Sequence, residues 1–106
     1  MWSVTSTTPT AEDAQTIART AVAERLAAGA EVTGPSISVF WHNDELGEAQ
    51  EWRVTLKTST AARDKLANRI QALHPWAGEA EIVATPVDWA IEHYAAWVEK
   101  VTAAVE

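Results

Sequence analysis

Residues 36–59 read SISVFWHNDELGEAQEWRVTLKTS, and their pattern predicts one long β-hairpin. Successive side chains on a strand point to opposite faces of the sheet. Every second residue from Ile37 to Trp41 is apolar, and so is every second residue from Trp52 to Leu56. The stretch between the two arms, residues 43–47, carries the Asn-Asp and Gly signals of a turn. The elements before and after it must therefore pack around a two-stranded ribbon.

The predicted hairpin is too long for its own domain. An arm of about ten residues reaches roughly 34 Å, whereas a compact chain of about 100 residues has a radius of gyration of only ~13 Å. The tip would expose unpaired strand edges and apolar rings such as Trp41. The sequence also has six tryptophans, and each can bury on the order of 200 Å². We therefore expect copies of the chain to associate into a homo-oligomer.

The segment before the hairpin predicts a strand and a helix. Residues 3–7 alternate small polar and β-branched side chains, as a short strand does. A helix with a broad apolar side follows, capped by Thr8 or Thr10 and stopped at Gly29. Gly34-Pro35 then interrupts the start of the next strand, which is typical of a bulge or kink at a sheet edge.

The segment after the hairpin predicts a helix, a strand and a second helix. The first helix has a stripe of apolar residues at spacings of four and three, namely Leu66, Ile70 and Leu73. It should end at His74, because the following proline disfavours helical geometry there. A strand over Glu81–Thr85 comes next. We expect Asp88 to cap the last helix, whose apolar seam runs to Val105.

The order of elements defines the fold class. Strand, helix, two strands, helix and strand form the ferredoxin-like βαββαβ arrangement, here an α+β domain spanning residues 1–106 with an extra C-terminal helix. This arrangement predicts one antiparallel sheet with two helices on one face. The C-terminal helix can cover part of the opposite face, and a second subunit can cover more.

Composition excludes several classes of partner and site. The formal net charge is -7, which argues against nucleic acid because phosphate binding requires clustered Lys and Arg. No basic run suits an anionic membrane surface, and no apolar stretch approaches the ~20 residues that span a bilayer. The sequence has no cysteine, which rules out disulfides and thiolate ligands. The N-terminus lacks the pattern of a secretory signal, so we expect a cytoplasmic location.

Five segments together carry a family pattern. They are TSTTPTAEDAQTIARTAVAERLAAGAEV (5–32), SVFWHNDEL (38–46), EWRVTLKTS (51–59), ALHPWAGEAEIVATPV (72–87) and YAAWV (94–98). In this order and at this spacing they resemble the CutA family of divalent-cation tolerance proteins. The resemblance covers nearly the whole chain. It implies a ferredoxin-like protomer in a homotrimer, with clefts between subunits, a relationship to the trimeric PII-like signalling proteins, and a role in handling copper or another divalent metal.

The chain departs from the family pattern near the implied cleft. The family often has a cysteine close to the position of Gly29, and without it a Cu(I) site loses its best ligand. The lysine at the hairpin tip is replaced by Asp44. The family's tyrosine after His-Pro is Trp76, and the proline before the glutamate is Ala80. These changes do not affect the fold inference. They mean that the ligand specificity of the family does not carry over to this chain.

His74 has three readings. It lies at a predicted helix C-terminus, where an imidazole can donate to a loose carbonyl. Alternatively, His74 can combine with Glu79 and Glu81 to bind a divalent cation such as zinc or copper(II). In the third reading, His74 and Trp76 line an intersubunit pocket for a small organic molecule.

Other residues are assigned to the cleft by resemblance. Trp41, Glu51 and Lys57 stand in the matching strand segments, and Glu81 in the segment that follows His74. Arg53 shares a strand face with Lys57, about 14 Å away, so the pair can bracket an anion. The sequence has no Gly-rich phosphate loop, HExxH or G-x-S-x-G motif and predicts no catalytic residue. A reaction in the cleft between subunits stays open.

Overall fold

The computed structural model describes residues 1–103 as an antiparallel sheet with three helices. The elements are β1 (Trp2–Thr8), α1 (Ala11–Ala23), β2 (Gly29–His42), β3 (Glu45–Thr58), α2 (Thr60–Leu73), β4 (Ile82–Pro86) and α3 (Glu92–Thr102). A single 3-10 turn, Ala77–Glu79, precedes β4. The strands lie in the order β2-β3-β1-β4, and every pair is antiparallel. The predicted βαββαβ arrangement with an extra helix is confirmed.

The core lies between one face of the sheet and helices α1 and α2. We call this side, which carries Val4, Val54 and Leu56, the helix face. The buried cluster there consists of Val4, Ala14, Ile17, Ala18, Ala21, Leu26, Ala27, Val54, Leu56, Leu66 and Ile70. Burying a Leu or Ile side chain contributes about 1.5–3 kcal/mol, so this face holds the domain together.

Side-chain caps and one proline set the bounds of the first two helices. Thr10 Oγ1 accepts a hydrogen bond from the Asp13 N–H at the start of α1, and Ser59 Oγ accepts one from the Ala62 N–H at the start of α2. These bonds satisfy N–H groups that have no partner inside a helix. As predicted, α2 ends before His74, which is extended with ψ 135°.

Three local predictions were wrong. Helix α1 ends at Ala23, because the chain turns at Arg25 with φ 60°, and Gly29 is instead the first residue of β2. Helix α3 begins at Glu92 without a side-chain cap, so Asp88 does not cap it. Gly47 lies within β3, where it leaves room for the ring of Phe40: a Cβ there would lie 2.6 Å from Phe40 Cε1. The predicted seam residue Val105 lies outside the described residues.

Strands β2 and β3 form the long ribbon that the sequence predicts. Each strand has 14 residues, and Asn43 and Asp44 form the turn with φ values of 52° and 62°. The register slips between Thr33 and Ser36, as expected around Gly34-Pro35, and β2 is an edge strand. The molecule measures 44 × 26 × 21 Å, so it is elongated rather than round.

The outer half of the ribbon carries a stripe of exposed apolar side chains beyond the reach of the helices. We call this the ribbon stripe; it consists of Ile37 (65 % exposed), Val39 (60 %), Trp41 (75 %) and Leu46 (68 %). Ladder pairing sets Trp41 opposite Leu46 on one face, as cross-strand neighbours. Such a stripe on one face of a two-stranded ribbon leaves apolar surface in water.

The face of the sheet opposite the helices is only partly covered. We call it the open face; it carries Thr7, Arg53 and Lys57. Helix α3 contacts β3, and Trp97 lies near Gly29, where an added Cβ would be 3.7 Å from Cη2. Val83 on β4 remains 49 % exposed. Within residues 1–103, no helix is long and apolar enough to cross a membrane.

One ion pair connects the end of α1 to α2, and its contribution to stability depends on pH. Arg69 donates to Glu24 through Nε and Nη2, each 2.9 Å from a carboxylate oxygen. These hydrogen bonds, helped by the charge of Arg69, lower the pKa of Glu24 below its usual value. A lowered pKa contributes stability at neutral pH that is lost as pH falls through the folded-state pKa.

We therefore expect Arg69→Gln to raise the pKa of Glu24 toward its ordinary value. An NMR titration of side-chain carboxyls measures this directly. Arg63→Gln is the matched control, because Arg63 pairs with Asp64 and not with Glu24. An unchanged Glu24 titration in Arg69→Gln would show that the pair does not form in solution.

Candidate functional site

A cavity of about 770 Å³ lies between the root of the ribbon and the loop before β4. Ligand pockets are commonly about 300–1,000 Å³ in volume. The lining residues come from β1, β2, β3 and the loop; they are Thr7, Ser38, Val39, Phe40, Trp41, His42, Ala49, Glu51, Arg53, Trp76, Glu79 and Glu81. The lining combines aromatic rings with three glutamates and one arginine.

Strand register explains how the ribbon supplies its part of this lining. Ser38 lies opposite Ala49 on the ladder, and Arg53 lies opposite Thr7. Alternation along β3 puts Ala49, Glu51 and Arg53 on the open face. The loop after α2 then brings Trp76 and two glutamates to the other side of the cavity. The cavity is therefore built from segments about 70 residues apart in sequence.

Glu51 is the most deeply buried charged side chain of this lining. Its residue exposure is 7 %. Ser38 Oγ donates a hydrogen bond to Glu51 Oε1 at 2.7 Å. Among residues 1–103, no donor lies within hydrogen-bond distance of Oε2. Among the described residues, Ser6 Oγ is the buried side-chain polar atom without a partner. Glu51 Oε2 therefore keeps contact with water, which solvates this half of the carboxylate.

Arg53 and Glu81 form an ion pair at the edge of the cavity. Arg53 Nη1 lies 3.5 Å from Glu81 Oε2, and both side chains are nearly half exposed. An exposed pair of this kind contributes about 0–1 kcal/mol. Its main effect is to neutralise one of the three carboxylates, which leaves the cavity lining acidic.

His74 lies behind Trp76 and uses both ring nitrogens inside the chain. The residue is buried, at 5 % exposure. The Trp76 N–H donates to Nδ1 at 3.1 Å, and Nε2 lies 2.7 Å from the Thr7 carbonyl oxygen. Because Nδ1 accepts, the proton belongs on Nε2, which donates to Thr7. The ring centroids of His74 and Trp76 are 5.3 Å apart, so His74 positions the indole.

This geometry bears on two of the readings of His74. The side chain does not donate to a loose helix carbonyl but to β1, and thereby ties the end of α2 to the sheet. It has no free nitrogen for a metal ion. Among residues 1–103, no three His, Asp or Glu side chains come together in a group that could hold a metal, so the predicted set of His74, Glu79 and Glu81 is not assembled within one chain.

The structure brings most of the predicted cleft residues together in this cavity and leaves Lys57 outside it. Trp41, Glu51, Trp76 and Glu81 line the same cavity, as does Glu79. Lys57 does not; it lies farther along β3, opposite Ser3 and Gly29.

Sequence reasoning missed the contributions of Thr7, Ser38 and Phe40. The turn position would have revealed the last two. With His42 opposite Glu45, the register brings the alternate residues of β2 to the same face as Glu51.

Comparisons with known proteins agree with this architecture. The family profile described as CutA1 divalent ion tolerance protein matches residues 2–101. The divalent-cation tolerance protein CutA of Thermus thermophilus is 38 % identical over 96 residues, which are 91 % of this chain and 92 % of that protein.

Solved structures give the same result. The divalent cation tolerance protein Cut A1 from Thermus thermophilus superposes with a TM-score of 0.91, covering 96 % of this chain and 99 % of the other at 38 % identity. CutA1 from Pyrococcus horikoshii gives a TM-score of 0.89 at 29 % identity and covers 96 % and 98 % of the two chains. With its fold, its ribbon and nearly its full length matched, the chain belongs to the CutA1 family of divalent-ion tolerance proteins.

Proposed function

We propose that the chain acts as a homotrimer whose cargo is a divalent cation, bound where carboxylates of neighbouring subunits meet. The exposed ribbon stripe is the observation that best supports the homotrimer. The family name supplies the cargo class, and the acidic cavity lining supports it.

The ribbon stripe supports association because its surface is costly to leave in water. Each large apolar side chain contributes about 1.5–3 kcal/mol when it is fully buried. Strand β2 also has an unpaired edge, which another chain can cover. A ribbon that lies along a sister chain buries both the stripe and that edge. Cyclic symmetry repeats the contact in every copy.

The cation needs more than one chain. Glu79 and Glu81 are exposed at the rim of the cavity, but no metal-binding group forms within residues 1–103 of a single chain. A trimer interface would bring a second set of side chains to this rim. Carboxylates suit zinc, copper(II) or manganese, whereas Cu(I) prefers the thiolates that this sequence lacks.

Calorimetric titration with zinc and copper(II) tests the cargo. We expect Glu79→Gln with Glu81→Gln to weaken binding by at least about tenfold, because even indirect supports of a metal site cost 10–100-fold. Glu12→Gln with Glu99→Gln is the matched control: it removes the same charge from exposed helix positions. If neither ion binds above background, or if both double variants bind alike, the cation assignment is wrong and the assembly proposal stands separately.

A second candidate function is binding of a small organic molecule in the same region, as part of a regulatory scaffold or of a reaction between subunits. The cavity favours it, because its volume and aromatic walls suit an organic ligand better than a bare ion. The cytoplasmic location and the relationship to PII-like proteins stay predictions.

A further inference from the structure

The inner wall of the cavity holds a carboxylate that keeps one oxygen, Glu51 Oε2, in contact with water. Glu51 is 93 % buried by residue area, and Ser38 satisfies only Oε1. Arg53, the cationic side chain of the lining, already contacts Glu81. A buried carboxylate of this kind is complemented by a positive charge. The ligand that fits this wall therefore carries a cation.

The rest of the lining selects the type of cation. A metal ion needs several ligand atoms at about 2 Å, and residues 1–103 of one chain form no such group. Trp76 and Phe40 instead offer aromatic rings around the same space, and Phe40 shares the open face with Glu51. Aromatic faces attract ammonium groups through their quadrupole, and indoles do so best. A cavity of about 770 Å³ also has room for an organic molecule.

We infer that the cavity is a binding site for an organic cation with an ammonium group, which pairs with Glu51 and contacts the aromatic rings of Phe40 and Trp76. The position at Glu51 differs from the proposed divalent-cation rim at Glu79 and Glu81 of the same cavity, and the inference rests on the proposed trimer leaving this cavity open. His74 contributes indirectly, since its Nδ1 and ring hold Trp76 in place.

Calorimetry with choline and its uncharged isostere 3,3-dimethylbutan-1-ol tests the site on the full-length protein. The two probes share a shape and differ in charge. We expect choline to bind saturably, one per chain, and the isostere to bind at least roughly tenfold more weakly, because it gains neither the ion pair nor the cation–π contact. Equal binding of both probes would overturn the inference, as would no binding of choline to a folded protein.

Variants locate the bound cation. Glu51→Gln keeps an acceptor for Ser38 and removes the charge, so choline affinity should fall about tenfold or more. Trp76→Leu keeps an apolar side chain and removes the ring, so it should weaken choline and leave the isostere nearly unchanged. Glu48→Gln is the matched control, since Glu48 is an exposed carboxylate on the same strand that does not line the cavity.

Two results would show that Glu51 does not bind the organic cation. If choline affinity is the same in Glu51→Gln and Glu48→Gln, the carboxylate does not bind the cation. If choline fails to bind and Glu51→Gln reduces the trimer mass, a side chain of a sister subunit is the partner of Glu51. Zinc titration of Glu51→Gln separates this inference from the metal proposal, because we expect zinc affinity to depend on Glu79 and Glu81 instead.

Discussion

Replacing Ile37 and Leu46 together with aspartate should convert the proposed trimer into single chains at micromolar concentration. Both residues belong to the ribbon stripe and are 65 % and 68 % exposed in one chain, so the protomer itself should keep its fold. In the assembly, each charge would be placed in an apolar contact, and a buried charge without a partner costs several kcal/mol. The proposed trimer contains this contact three times, so the cost of the buried charges arises at each of the three interfaces. Sedimentation velocity and circular dichroism measure mass and fold separately.

The control adds the same charge elsewhere. Gln15→Glu with Gln71→Glu places two acidic groups on exposed positions of α1 and α2, away from the ribbon. We expect this protein to keep the mass of the wild type. A ribbon variant that is folded and still trimeric would show that the stripe does not form the interface.

Replacing His74 with alanine should lower the free energy of unfolding by about 2–4 kcal/mol. The change removes a buried ring and both of its hydrogen bonds, to the Thr7 carbonyl and from the Trp76 N–H. The Thr7 carbonyl then loses this partner, and Thr7 itself is only 4 % exposed. Because assembly adds concentration-dependent stability, urea unfolding is best measured in the monomeric Ile37→Asp, Leu46→Asp background.

Conservative variants separate this structural role from a ligand role. His74→Gln can restore a donor toward Thr7 and should recover part of the loss, whereas His93→Ala, on α3, should cost less than about 0.5 kcal/mol. A folded His74→Ala protein should bind zinc as tightly as the wild type does. If His74→Ala is as stable as the wild type but no longer binds zinc, the buried hydrogen bonds are not its role and a metal ligand is.

The fold was predictable because its signals are local and agree with one another. Alternation in residues 36–59 defines the ribbon, and the apolar stripe of α2 with the proline after His74 defines where that helix ends. Two of the three errors fall at helix ends, and the third is Gly47, which lies within β3. The prediction placed the end of α1 at Gly29, but a non-glycine residue, Arg25, makes the turn with φ 60°. Helix α3 starts without a side-chain cap, so its first residue had no sequence signal.

The site was predictable only in part. The aromatic and acidic residues of the cleft came from resemblance, and four of them, Trp41, Glu51, Trp76 and Glu81, line one cavity. The role of His74 was not visible, because its partner Thr7 lies 67 positions away and offers a backbone oxygen rather than a side chain. The burial of Glu51 likewise follows from the contact with Ser38 across the ribbon, which depends on register.

The mass of the native assembly in solution tests the central claim most directly, namely that the β2–β3 ribbon requires sister chains. Sedimentation equilibrium over a wide range of concentrations measures it. The account predicts one species at three times the 11.5 kDa mass of the chain. A stable, folded species at 11.5 kDa throughout that range would contradict it, because the ribbon stripe would then remain in water without a partner.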